Sequence, residues 1–156
     1  MKKIPETIFS MLAIAALASG ADNSIGTWKY NTAKSKQNPG LAPITNLIST
    51  YEAIDGGVRI TIKGERADGL KIDNVTVVKY DGKEFPVKGT GVAWDTVAYK
   101  QVDANTVTIE RSKKGGKYHA AVRDVVSADG KTLIQSAKGT GADGKAFTTV
   151  GVWDRH

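Results

Sequence analysis

The 156-residue chain has no cysteine and only two histidines, His119 and the terminal His156. Disulfide staples, thiol nucleophiles and cysteine-bound zinc are thereby excluded, and a histidine relay has little to be built from. No acidic pair stands apart from the turn aspartates, so neither a carboxylate-based catalyst nor a metal cage is expected, and the chain reads as non-enzymatic. Each of those turns offers one aspartate followed by Gly-Lys, which is too few oxygen ligands for calcium.

Long apolar runs are missing as well, with one exception. "IFSMLAIAALA", Ile8 to Ala18, follows Lys2 and Lys3 and precedes the small residues Ser19, Gly20 and Ala21. This is the layout of a secretory signal, and the run is too short to span a bilayer. The expected organisation is a cleaved signal over residues 1–21 and a single domain over 22–156. That places the protein in the periplasm or outside the cell, as a monomer with no integral membrane span after processing. Exported without cysteine, the domain has to be held by packing and backbone pairing alone.

The net charge of +6 falls to +5 once Lys2, Lys3 and Glu6 are removed. Apart from "RSKKGGK" (Arg111 to Lys117) the lysines are dispersed, so the excess reads as a solvated surface and no nucleic-acid partner is expected. "KGTGVAW" and "KGTGADGK" contain glycines but neither opens a helix, which excludes a phosphate loop, and no cofactor is expected.

What the chain has in abundance is turn chemistry. Asp-Gly or Gly-Gly occurs at Asp55-Gly56-Gly57, Asp68-Gly69, Asp81-Gly82, Gly115-Gly116, Asp129-Gly130 and Asp143-Gly144. Between them lie β-branched and aromatic stretches such as "GVRITIKG", "NVTVVKY" and "AFTTVGVW". Val58, Ile60 and Ile62 alternate with Arg59, Thr61 and Lys63, the period of a half-buried strand. Ten strands are predicted, near 25–32, 44–54, 57–66, 70–80, 83–88, 96–103, 106–112, 117–127, 131–139 and 145–155. No interval has room for a crossover helix. The fold class is therefore all-β, an antiparallel up-and-down meander that removes its two edges by closing into a barrel of about ten strands, with eight as the alternative. "AKSKQNPGLAP", Ala33 to Pro43, is a loop, since Pro39, Gly40 and Pro43 forbid a regular helix.

"GTWK" on the first strand resembles the Gly-x-Trp opening of lipocalins and fatty-acid-binding proteins, the calycin group. The stretch from Asp103 to Gly141, followed by "TTVGVWDR", resembles the closing strands of a fatty-acid-binding protein. The resemblance implies a lipocalin-like, ligand-holding barrel. It also implies that Gly26, Trp28 and Arg155 form a structural signature, with Trp28 plugging the closed end under the Arg155 guanidinium. In that family a late-strand arginine and a final Arg-x-Tyr pair hold the ligand carboxylate. Arg123 matches the first, whereas Gly151 and Trp153 replace the pair, and the family's two-helix lid is absent.

The candidate ligand-binding residues are accordingly Arg123, as the first anchor for an anion, and Arg111, which continues the apolar face of Val107 and Ile109. Tyr51, Tyr80, Tyr99, Tyr118 and Trp153, with Trp94, supply the apolar lining. The expected partner is a small hydrophobic or amphipathic molecule such as a fatty acid. The alternative is a barrel filled by its own side chains that acts as a structural or surface-interaction module.

Overall fold

Alternation decides which way each strand faces. In the computed structural model, which describes residues 21–156, Val58 and Ile60 are buried while Arg59 between them is exposed. Ala120, Val122, Asp124 and Val126 turn inward in the same way. The segment expected as the signal lies outside the described residues except for Ala21.

Ten strands form in chain order: β1 (Gly26–Tyr30), β2 (Ile44–Ile54), β3 (Gly57–Arg66), β4 (Lys71–Val78), β5 (Asp81–Thr90), β6 (Thr96–Asp103), β7 (Thr106–Ser112), β8 (His119–Val126), β9 (Thr132–Thr140) and β10 (Ala146–Arg155). Each pairs antiparallel with its neighbour, and β1 pairs with β10, so the sheet is a closed barrel without a free edge. This is the ten-stranded arrangement; the eight-stranded alternative does not occur. The one helical feature among the described residues is a 3₁₀ turn, Thr32–Lys34, capped by the Asn31 side chain accepting from the Lys34 N–H at 3.1 Å.

The turns owe their shape to Asp-Gly. At the two copies of Ala-Asp-Gly-Lys, the Asp129 and Asp143 carboxylates accept from the backbone N–H of Lys131 and Lys145 at 3.0 and 2.9 Å. Gly130 and Gly144 then take φ of 72° and 80°. Among the described residues none other than glycine has positive φ, so these are turns that close on a left-handed glycine rather than the doubly left-handed type.

The barrel has a sealed end and an open one. At the sealed end Trp28 is fully buried, its Nε1 donates to the Ser24 carbonyl at 2.8 Å, and the Arg155 guanidinium lies 4.2 Å above its ring. Arg155 also donates to the carbonyls of Gly130, Ile25 and Asn23 at 2.6, 3.0 and 2.9 Å. A Cβ on Gly26 would strike this guanidinium at 2.4 Å, which is why the first strand opens on glycine. At the open end β1 leaves the sheet after Tyr30. Lys36 continues on the β10 edge by exchanging two backbone bonds with Val150, at 2.8 and 2.9 Å. The Pro/Gly loop is thereby folded against the mouth.

Candidate functional site

The barrel is not filled by its own side chains. A cavity of about 380 Å³ runs inward from the open end, a size typical of small-molecule sites. Its rim comes from three loops, at Gln37 to Leu41, Val92 to Trp94 and Gly141 to Asp143. Below the rim the inward positions of the strands line it.

An aromatic column occupies one side near the mouth. The Arg111 guanidinium stacks on Trp94 at 4.4 Å, Trp94 stacks on Tyr118 at 5.4 Å, and Tyr118 on Phe147 at 5.9 Å. Burial raises the Tyr118 phenol above its ordinary pKa while the neighbouring guanidinium opposes the shift. Among the described residues no carboxylate lies within ion-pair distance of Arg111. The cavity wall thus carries a half-buried cation resting on an indole with no carboxylate in direct contact.

Depth follows from register. Arg111 pairs with Ala120, and Asp124 lies four residues further along β8, about 13 Å along the strand. Asp124 is buried in the lower half of the barrel, beside Tyr51 of β2 and Gln135 of β9. Burial pushes its carboxyl up to about 6, against the opposing pull of Arg111 and of hydrogen bonding from Gln135 and Tyr51. Tyr51 is itself raised well above the usual phenol range, first by burial and then by the Asp124 charge. Burial raises Tyr99 likewise.

Of the residues expected to hold a ligand, Arg111, Tyr51, Tyr99, Tyr118 and Trp153 face this cavity. Two do not. Arg123 is exposed on the outer face, because the inward parity of β8 belongs to Ala120, Val122 and Asp124. Tyr80 lies toward the sealed end, its hydroxyl donating to the Asp22 carboxylate and its ring 6.4 Å from Tyr99. Gly151 stands beside Trp153 and Tyr30, which meet edge to face at 5.0 Å. A Cβ there would approach Trp153 Nε1 and Tyr30 Cε2 to 3.2 Å, so the glycine keeps space open next to the indole N–H.

Sequence reasoning passed over Asp124, Gln135 and Ser49. Asp124 was within reach of the pattern, since Tyr118, Ala120 and Val122 already define a face whose next member is 124. Ser49 and Gln135 carry no sequence signal beyond strand parity.

No family model matches the sequence, and no curated protein matches it. Among solved structures, the chain is similar to zebrafish ileal bile acid-binding protein crystallised with cholic acid. The TM-score is 0.55 at 14% identity, over 86% of this chain and all of that one. The likeness shows the fold, a ten-stranded antiparallel closed barrel. Among the described residues no helix is long and apolar enough to cross a membrane, and no group of potential ligands is placed to hold a metal.

Proposed function

We propose that the protein is an exported, non-catalytic carrier that holds one small amphipathic molecule inside the barrel, its apolar body among the aromatic walls and its anionic end at Arg111. The observation that carries this reading is the cavity itself, with a guanidinium on its wall that no carboxylate of the described residues contacts. A buried or half-buried cation without a carboxylate is stabilised when a ligand supplies one, and the charge-assisted bond fixes the ligand's direction. The driving force is removal of apolar ligand surface from water, at ~25 cal/mol per Å². The cholic acid held by the similar zebrafish barrel is a molecule of this kind. A cavity of this size also speaks against the side-chain-filled alternative.

Native mass spectrometry of protein purified from its own host, before and after organic extraction, is expected to show a lipid-sized adduct that extraction removes. Titration with a fluorescent fatty-acid probe is expected to give about tenfold weaker binding for Arg111→Gln, the loss of roughly one charge-assisted bond, and no change for the outward Arg123→Gln. A protein that carries nothing and binds no probe would defeat the carrier reading. Equal binding by both variants would remove Arg111 from it. Export is checked by N-terminal sequencing of the secreted or periplasmic product, expected to begin at Asp22.

A further inference from the structure

Among the described residues, three side-chain polar atoms, each on a residue more than nine-tenths buried, have no hydrogen-bond partner: Ser49 Oγ, Asp124 Oδ1 and Trp153 Nε1. Leaving such atoms unpaired in a protein interior is costly, and native folds rarely do so unless something else fills the need. Ser49 and Trp153 both line the cavity. They reach it from β2 and β10, the strands flanking β1. Ser49 is paired opposite the Trp28 plug and Trp153 opposite Tyr30. Gly151 withholds the Cβ that would crowd the indole nitrogen.

The two atoms on the cavity wall differ in what they need. Trp153 Nε1–H can only donate and so requires an acceptor; Ser49 Oγ can do either. Tyr51, also on the cavity wall, lies beside Asp124. A saturated hydrocarbon chain satisfies neither Trp153 nor Ser49, whereas a hydroxyl both donates and accepts and satisfies both.

We propose that the lower half of the cavity is a hydroxyl-recognition subsite, in which Trp153 Nε1 and Ser49 Oγ bond hydroxyl groups carried by the body or far end of the ligand. This rests on the carrier reading and narrows it from amphipathic molecules in general to hydroxylated ones. Arg111 holds the anionic end near the mouth, and the walls of β2 and β10 read the hydroxyls farther in. The column of Trp94, Tyr118 and Phe147 lines the mouth beside Arg111.

Laurate and ω-hydroxylaurate separate the possibilities, since they share a carboxylate and a chain and differ in one hydroxyl. Calorimetric titration of the wild-type barrel is expected to show ω-hydroxylaurate binding about tenfold more tightly, the scale of one buried hydrogen bond completed. Ser49→Ala and Trp153→Phe are each expected to shrink that ratio toward one, by weakening ω-hydroxylaurate more than laurate. Ser49→Ala removes one exchangeable oxygen from a wall, so the test survives even if Trp153→Phe disturbs packing. Equal affinity for the two probes in the wild type would overturn the subsite, as would an unaltered ratio in both variants. The carrier reading would then stand with water on the orphaned groups. Failure of both probes to bind would bring down the carrier reading and the subsite together.

Discussion

Asp124 shows how one side chain couples the interior to solution pH. An aspartate ordinarily loses its proton near pH 4 in an unfolded chain. In the fold, burial raises that value to about 6. Between those two values the folded state holds a proton that the unfolded state has released. Stability from this group is therefore fully present below pH ~4 and is lost as pH rises through about 6. A shift of about two units corresponds to roughly 3 kcal/mol between acid and neutral conditions. Asp124→Asn cannot ionise, so the difference in unfolding free energy between variant and wild type is expected to grow in the variant's favour from pH 4 to pH 7 and then level off. Urea unfolding of both proteins across that range measures it, and parallel pH profiles would mean that the carboxyl titrates normally. The same residue marks where sequence reading of the site stopped. Arg123 was singled out for its charge and for its place in a family motif, yet strand parity puts its neighbour inside. Which of two adjacent polar residues faces inward is fixed by register, and register is set by turns several residues away.

At the scale of elements, the mouth is organised by loops tied to one another. Asp95, between β5 and β6, accepts from the Lys114 N–H at 3.0 Å and pairs with Lys113 Nζ at 3.1 Å. Its carboxyl is held down at about 2, first by the Lys114 backbone bond and then by Lys113 and Thr96. One carboxylate thus fastens the turn between β7 and β8, which positions Tyr118, to the loop that carries Trp94. Asp95→Ala is expected to accelerate amide hydrogen exchange across residues 113–117 while leaving the exchange of β8 and β9 unchanged, because the bond restrains a turn and not the sheet. Protection lost throughout the barrel would instead place Asp95 among the residues that hold the fold. All ten strands were legible in the sequence for a local reason: each Asp-Gly turn is a self-contained conformational signal, and β-branched alternation fills the interval between turns. Boundaries were least legible at β5, expected over 83–88 and found over Asp81–Thr90. There Pro86 removes a donor, and pairing with β4 extends only from Asp73–Thr90 to Thr76–Val87. The loop after β1 was equally opaque, since its docking onto Val150 is a contact across more than a hundred residues that no local pattern records.

For the molecule as a whole, closure of the ring is the event on which everything else depends. The pairing of β1 with β10 covers only Trp28–Arg155 to Tyr30–Trp153, the shortest register in the barrel. It joins the two ends of the domain, so the loop that must close spans nearly all of it, and its entropic cost falls on a few residues. Side chains make up for the brevity of the ladder. Trp28 contributes the burial of a large aromatic, and Arg155 stacks on it while reaching three carbonyls on two separate segments. Trp28→Ala is expected to lower stability by about 3–5 kcal/mol through lost burial and the cavity left behind. Arg155 is largely exposed, so Arg155→Lys, which keeps the charge but loses the planar fork, is expected to cost only about 1 kcal/mol. Because this seam joins sequence-distant strands, it is expected to form late. Both substitutions should then act mainly on the unfolding rate and leave the folding rate nearly unchanged. Stopped-flow urea jumps on the two variants check this. A folding rate slowed in proportion to the lost stability would show instead that indole and guanidinium meet early and that the barrel is built outward from its seam.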